Sequence, residues 1–478
     1  MRIALVHGYF LGDSGSGVYV RELAKQFTRD GHEVTLVCQE QNPEAYGFID
    51  TFYEMKRGNA SMNKVFTREK TMAGSCRTVR PDIKNNLLTY VESSNEKFKN
   101  ATFQEAPLPL IEDYVKSNVA ALKTVFKKWQ QDFVQTNHAI MQPYEASQAL
   151  DGQTPYCVTI HGSALNFSVK ADPRLKRFFV DGMKGASAVV ALSDDSARDV
   201  KDYAANAGVA IDSKLSVIPP GVDTTLFKPV AEGCSAFKHI FKICPGGAVA
   251  VQAGRLLWTK GAHYSVAAVP LVSQTGRDFN LILAGDGPME GPLREFIELL
   301  DDGNVAAARL YAQKSREMEG SPQYGPPIPD FGWEEEEFYA KAAKGNTKNR
   351  IHFTGHLSHE ELAPLLGAAD LILMPSIFPE AYGLSAIEGL SSGALPVAAY
   401  HSGLTGPLTA IAKKLGDPVI SSLIPGVGLT RALADGITHI TDRYLTQDLE
   451  FRLGLHKLAE KRFSWARTAE TYIMLFKE

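Results

Sequence analysis

Cysteine is scarce in this chain and never forms a motif. Cys38, Cys76, Cys157, Cys234 and Cys244 are odd in number, and no Cys-x-x-Cys occurs. Zinc ribbons, thioredoxin-type centres and a complete disulfide framework are disfavoured, and reduced thiols in a cytoplasmic setting are expected. Long apolar runs are missing as well: no stretch of about eighteen such residues reads as a membrane span. The apolar start Met1–Val6 passes quickly into Gly12-Asp13-Ser14-Gly15 and does not read as a signal peptide. Charge of one sign is lacking. Residues 1–228 carry 27 Lys+Arg against 26 Asp+Glu, and 229–478 carry 23 against 28, so neither half has the basic excess of a nucleic-acid binder. Four catalytic signatures are absent: His-Glu-x-x-His, Gly-x-Ser-x-Gly, the Gly-Lys-Ser/Thr of a P-loop, and any two aspartates separated by one residue. The last absence removes the common carboxylate pair that grips a metal-bound sugar nucleotide.

What is present is an ordinary globular composition, 44% hydrophobic over 478 residues, enough for two or three domains. Two segments begin alike. Ile3–His7 predicts a strand, followed by a turn with Gly12, Gly15 and Gly17, an amphipathic helix over Val18–Phe27, and a second strand over Glu33–Cys38. Ala248–Ala253 predicts another strand. Its loop is Gly254-Arg255-Leu256-Leu257-Trp258-Thr259-Lys260-Gly261, its helix runs from His263 to Val272, and the next strand is Leu281–Ala284. Two independent α/β starts imply two parallel-sheet domains. The break is expected at Ile218-Pro219-Pro220-Gly221-Val222-Asp223, giving domains 1–223 and 224–459, with a terminal helix over about 460–478. Thr51–Asp132 and Asp301–Lys348 stand outside the alternation, as insertions with special binding or as plain surface excursions.

The residues that could carry chemistry sit after predicted strands. In Pro379-Glu380-Ala381-Tyr382-Gly383-Leu384-Ser385-Ala386-Ile387-Glu388, small residues open a helix whose backbone N–H groups suit a phosphate or polar ligand. Glu380 at its mouth and Glu388 along it suit the hydroxyls of a sugar or ribose. The bland alternative is a dipole-stabilised acid and a solvated glutamate. Arg255 and Lys260 at a strand-to-helix turn could hold a diphosphate, or could be surface charge. His161, in Thr159-Ile160-His161-Gly162, follows a strand as a cleft histidine would, though a lone histidine is more often structural. His138 has the weaker claim of the same kind. The stretch 52–84 holds eight Lys/Arg against three acids, and reads as an anionic-acceptor or peripheral membrane surface or as a solvated excursion.

Taken in order, Gly-Arg-x4-Lys-Gly, Leu283-Ala284-Gly285-Asp286-Gly287-Pro288, Ile351-His352-Phe353-Thr354-Gly355, Met374-Pro375-Ser376 and Glu-x7-Glu resemble the second domain of the retaining glycosyltransferases of the GT-B fold, the family-four or group 1 class. The early Gly-rich loop, Thr-Ile-His-Gly and Pro219-Pro220-Gly221-Val222-Asp223 resemble its first. The resemblance implies an α/β fold of two Rossmann-like domains flanking a deep cleft, with an acceptor-binding first domain and a donor-binding second one. It implies a hexosyltransferase that uses a nucleotide diphosphate sugar, with UDP-glucose the base-rate choice. No metal and no cofactor are expected. Carried over by position, Arg255 and Lys260 would neutralise the diphosphate, Glu388 would bind ribose, and Glu380 the donor sugar. The backbone at Tyr382, Gly383 and Leu384 would cradle phosphate or sugar, Gly15 and Gly17 would admit the diphosphate, and His161 would bond the transferred sugar. An epimerase or phosphorylase on the same fold, and a non-catalytic sugar-nucleotide binder, are the rival readings. Acceptor and linkage are open.

Overall fold

The computed structural model describes the chain except residues 13, 57, 92–96, 151, 153, 231–240, 242, 244–246, 319–335, 424–427, 445–448 and 478, and except the side chains of 313–318. Cys234 and Cys244 therefore lie outside the described residues. So does the proline- and acid-rich middle of 301–348. The chain divides into two compact units, one of Met1–Pro220 with Trp465–Glu478, the other of Gly221–Ser464. The sequence-based boundaries, 223 and about 460, lie a few residues to either side of these.

In the first unit the strands are β1 (Arg2–Val6), β2 (Glu33–Val37), β3 (Thr51–Lys56), β4 (Ser61–Thr67), β5 (Ser75–Arg80), β6 (Asn86–Thr89), β7 (Lys99–Thr102), β8 (Phe133–Asn137), β9 (Tyr156–Ile160), β10 (Ala188–Ala191) and β11 (Leu215–Val217). Nine of them form one sheet in the order β11-β10-β9-β8-β1-β2-β5-β3-β4, and β6 pairs with β7 apart from it. Every neighbouring pair in the large sheet is parallel except β3 with β4. The continuous apolar runs follow from burial on both faces: Ile3, Ala4, Leu5 and Val6 are all buried. Strand order reverses at β1, which lies between β2 and β8. In such sheets ligand crevices form at the carboxyl ends of the strands where the order turns. His7, His138 and His161 stand just past the ends of β1, β8 and β9.

The segment 51–132 is not an excursion. It supplies β3, β4 and β5 to the main sheet, the β6–β7 pair, and the helix α2 (Leu108–Lys128). The weak pattern has two causes. The β3–β4 ladder has a register shift between Phe52 and Tyr53, which breaks strict alternation. Meanwhile β4 is an edge strand, so its Lys64 and Val65 are exposed. Helix α2 does carry a helical stripe: Ile111, Tyr114, Val115, Leu122 and Val125 are buried. The basic character of 52–84 is also largely neutralised. Lys56 and Arg80 pair with Glu54, Arg77 with Glu33 and Lys84 with Asp113, while Arg68 donates to the carbonyls of Pro43, Glu44 and Tyr46.

The helix α1 (Gly15–Arg29) follows β1, and Ser14 caps it by accepting from the Gly17 N–H at 3.1 Å. The chain's last helix, Trp465–Leu475, packs on α1. Tyr19 meets Trp465 edge to face at 5.3 Å, and Phe476, just past the helix, stacks on Phe133 at 3.7 Å.

In the second unit a five-stranded parallel sheet runs β14-β13-β12-β15-β16, with β12 (Ala248–Ala253), β13 (Phe279–Ala284), β14 (Ile351–Gly355), β15 (Leu371–Met374) and β16 (Leu395–Ala398). The order reverses between β12 and β15. The loops that follow these two strands are 254–261 and 375–383, which carry Arg255, Lys260 and Glu380. The helix after the first loop spans Ala262–Ser273, and the helix after the second spans Leu384–Ser391.

Candidate functional site

In the second unit the loop after β12 and the loop after β15 meet. Lys260 Nζ donates to Glu380 Oε1 at 2.6 Å, and Ser376 Oγ donates to the same oxygen at 2.7 Å. The Glu380 backbone is held as well: its N–H donates to Ser402 Oγ at 2.9 Å, and its carbonyl accepts from the Gly403 N–H at 2.9 Å. His401 is anchored on the Ser376 carbonyl at 2.7 Å. Burial works to raise the Glu380 carboxyl. It is outweighed by the Lys260 ammonium, the hydrogen bonds from Lys260 and Ser376, and His401, so the group sits below the ordinary carboxylate value. Both side-chain bonds end on Oε1 and leave Oε2 outside them. The Lys260 carbonyl accepts from Gln252 Nε2, whose own oxygen accepts from Ser265 Oγ, so the loop is pinned from β12 and from the helix behind it.

Arg255 stands apart from this pair. It is exposed and has no ion-pair partner among the described residues. The helix Leu384–Ser391 starts at Gly383, with φ of 94° and no side-chain cap. A Cβ at Gly383 would lie 2.3 Å from Leu404 Cδ2, so glycine is required there on both counts. The uncapped first turn leaves backbone N–H groups for a ligand. Helix Ala262–Ser273 likewise begins at a glycine, Gly261, with no side-chain cap. Tyr382 is buried, and burial pushes its phenol up. Glu388 is buried rather than solvated, with Oε1 3.4 Å from His359 Nε2, and His359 packs edge-on to Phe227. This sets aside the solvated-surface alternative for Glu388.

In the first unit His161 Nε2 lies 2.8 Å from Asn137 Oδ1. Its ring meets Tyr19 edge to face at 5.0 Å and His138 at 4.9 Å. Burial, with a smaller contribution from His7, lowers its pKa to about 3, so the ring is neutral. His7 is likewise lowered to about 3, and His138 well below its usual value, mainly by burial. Gly15 and Gly17 differ. Gly15 is exposed at the start of α1 with open space beside it. Gly17 is buried, a Cβ there would lie 2.4 Å from the Phe10 carbonyl oxygen, and its N–H already serves the Ser14 cap. Gly17 is thus explained by close backbone packing, and Gly15 alone keeps a free approach.

Several residues around these sites escaped sequence reasoning. Ser376 stood in the quoted Met374-Pro375-Ser376 segment without a role. Ser402, His401 and His359 had no local signal, since they reach the site from elsewhere in the chain, and Gln252 lay inside the predicted strand Ala248–Ala253 with nothing to single it out. Asn137 had one weak signal, its place beside His138 at a strand end.

The signature of Glycosyltransferase Family 4 matches residues 90–226, and that of Glycosyl transferases group 1 matches residues 331–408. The 2-deoxystreptamine glucosyltransferase of Streptomyces kanamyceticus is 25% identical over 315 residues, 64% of this chain and 66% of that protein. The chain thus spans just under two thirds of that relative's length. The catalytic domain of starch synthase IV from Arabidopsis thaliana, solved with ADP and acarbose, is similar with a TM-score of 0.65 at 13% identity, covering 100% of this chain and 99% of that one. Anabaena HepE, solved with UDP-glucose, is similar with a TM-score of 0.60 at 16% identity, covering 100% and 99%. At such identities the structural likeness speaks for the fold.

Proposed function

The chain belongs to the group 1 glycosyltransferases of the GT-B fold, and on that premise we propose that it is a retaining hexosyltransferase. It moves a hexosyl unit from a nucleotide diphosphate sugar to an acceptor hydroxyl. The anomeric carbon–oxygen bond to the diphosphate breaks, and a bond to the acceptor oxygen forms on the same face. The acceptor proton passes to a phosphate oxygen of the leaving group. Charge that grows on the diphosphate is met by Arg255, by Lys260 and by the uncapped helix starts at Gly261 and Gly383, with the backbone of Tyr382, Gly383 and Leu384 against phosphate or sugar. Glu380 takes donor-sugar hydroxyls through its free Oε2, Glu388 the ribose, and His161 a hydroxyl of the transferred sugar. Gly15 admits the diphosphate to the first unit. Cations and helix ends carry the role a metal has elsewhere, so no metal is required.

One observation carries this reading: the Lys260–Glu380 pair and two uncapped helix starts lie together on the loops at the second sheet's switch point. That is where α/β sheets bind ligands. UDP-glucose is the favoured donor. HepE was solved with it, and the Streptomyces relative is named a glucosyltransferase. The test is a panel of UDP-, GDP- and ADP-sugars scored by thermal shift, since a ligand that binds only the folded state raises the melting temperature. The donor so found is then used for transfer, with the anomeric configuration of the product read by NMR. An inverted product, or no shift with any donor, rejects the proposal.

A further inference from the structure

His161 is held by a buried amide network whose donor and acceptor ends are fixed by the backbone. Asn137, at the end of β8, is fully buried. Its Nδ2 donates to the Val6 carbonyl at 3.0 Å and to Gln135 Oε1 at 2.9 Å. Gln135 returns the bond, donating from Nε2 to Asn137 Oδ1 at 3.1 Å, and also to Thr159 Oγ1 at 2.7 Å. Thr159 Oγ1 is in turn 2.7 Å from the Tyr472 hydroxyl, which lies 2.8 Å from the Tyr19 hydroxyl. A main-chain carbonyl can only accept, so turning the Asn137 amide over would press oxygen against oxygen at Val6. Its Oδ1 must therefore face His161 Nε2, and that oxygen too can only accept. In a neutral imidazole one nitrogen carries the hydrogen and the other a lone pair.

We propose that Asn137, braced by Gln135, is a positioning residue that fixes the His161 ring in its Nε2–H tautomer and reserves Nδ1 as an acceptor for a sugar hydroxyl. This rests on the assignment of His161 to the transferred sugar. The ring also packs against Tyr19 and His138. Of the titratable groups around it, His7 and His138 are neutral and Tyr19 is protonated, since burial raises its phenol well above the usual value. Among the described residues, only neutral His7 adds to burial in setting the ring's proton affinity, so none of them competes with the amide for control of the tautomer. Low proton affinity keeps Nδ1 unprotonated through the neutral range. His161 is thereby a hydrogen-bond acceptor, and neither an acid nor a cation.

The test begins with the wild-type protein. Long-range proton–nitrogen correlation on 15N-histidine-labelled enzyme, with His161 assigned by loss of its signals in His161→Gln, should give the Nε2–H pattern. Asn137→Ala should lose that pattern and lower kcat by on the order of a hundredfold with the donor identified above, as expected for a misplaced reacting contact. An Nδ1–H wild-type spectrum, or an Asn137→Ala enzyme with the wild-type pattern and kcat, overturns the proposal. A His161→Gln enzyme with normal turnover sinks the assignment of His161 to the sugar, and the intact wild-type tautomer pattern tells that failure apart.

Discussion

Two cations assigned to one diphosphate are held quite differently, and substitution should separate them. Arg255→Ala removes an exposed side chain with no ion-pair partner among the described residues. It should lower kcat/KM by on the order of a hundredfold and leave the melting temperature nearly unchanged. Lys260→Ala should cost similar activity and also stability, because Glu380 loses its countercharge in a poorly solvated place. Equal melting temperatures for both variants would contradict this difference. Three buried histidines and the half-buried His161 make a second prediction. His7, His161 and His263 have pKa values of about 3, and His138 is also strongly lowered, against 6.5 for the unfolded chain. Between those values the unfolded chain binds more protons, so their stabilisation is complete above about pH 6.5 and is lost as pH falls towards 3. Each contributes a slope of up to about 1.4 kcal/mol per pH unit. Glu145 has the opposite sign: burial raises it from 4.5 to about 8, so its contribution is full below 4.5 and lost as pH rises towards 8. Four groups outweigh one, and the urea midpoint should drop steadily from pH 6.5 to 4.5. A flat midpoint over that range would refute the neutral state of these imidazoles.

At the scale of elements, the last helix and the β3–β4 ladder bear the clearest tests. Tyr472 gives the helix Trp465–Leu475 a polar anchor, through Tyr19 and Thr159, inside an apolar contact. Tyr472→Phe keeps the ring, takes this partner from the Tyr19 hydroxyl and leaves Thr159 Oγ1 only its bond from Gln135, at a cost of about 1 to 2 kcal/mol in chemical unfolding. A cost near zero would mean that the network adds nothing to the packing. On β4 and just beyond it, Lys64 and Lys70 are the described cations of 52–84 outside the ion pairs and carbonyl contacts given above. Two such charges give at most about 2 kcal/mol near an anionic bilayer, too little for a stable anchor. The Lys64→Glu, Lys70→Glu double variant should therefore bind anionic vesicles no differently from the parent in a sedimentation assay. Salt-sensitive binding lost in the double variant would restore the membrane-facing reading.

For the whole molecule, the chemistry proposed here predicts insensitivity to chelators. Activity with the identified donor should be unchanged within about twofold after exhaustive EDTA treatment and dialysis, because leaving-group charge is met by fixed cations and helix ends. Activity that vanishes and returns with magnesium or manganese would require a different account of the diphosphate. No cluster of three or more metal-ligating side chains occurs among the described residues. Among the same residues, no helix is long and apolar enough to cross a membrane.

The sequence by itself determined the two α/β units, the strands that open each of them and the loops that bear Arg255, Lys260 and Glu380. Those features are local: an apolar run buried on both faces, then a glycine-rich turn, is written in consecutive residues. The strand Ala248–Ala253 was readable to the residue for that reason. Tertiary structure decided everything that depends on a partner distant in sequence. The strands β3 and β4 were hidden because an edge strand and a shifted register erase the alternation that marks a half-buried sheet. Lys260 and Glu380 are 120 residues apart, and only the adjacency of β12 and β15 makes them an ion pair. Gly17 read as a ligand-approach glycine until the Phe10 carbonyl gave it a packing reason. The tautomer of His161 is the furthest from sequence of all: it follows from the Val6 carbonyl, which fixes an amide 131 residues away, and through it the ring.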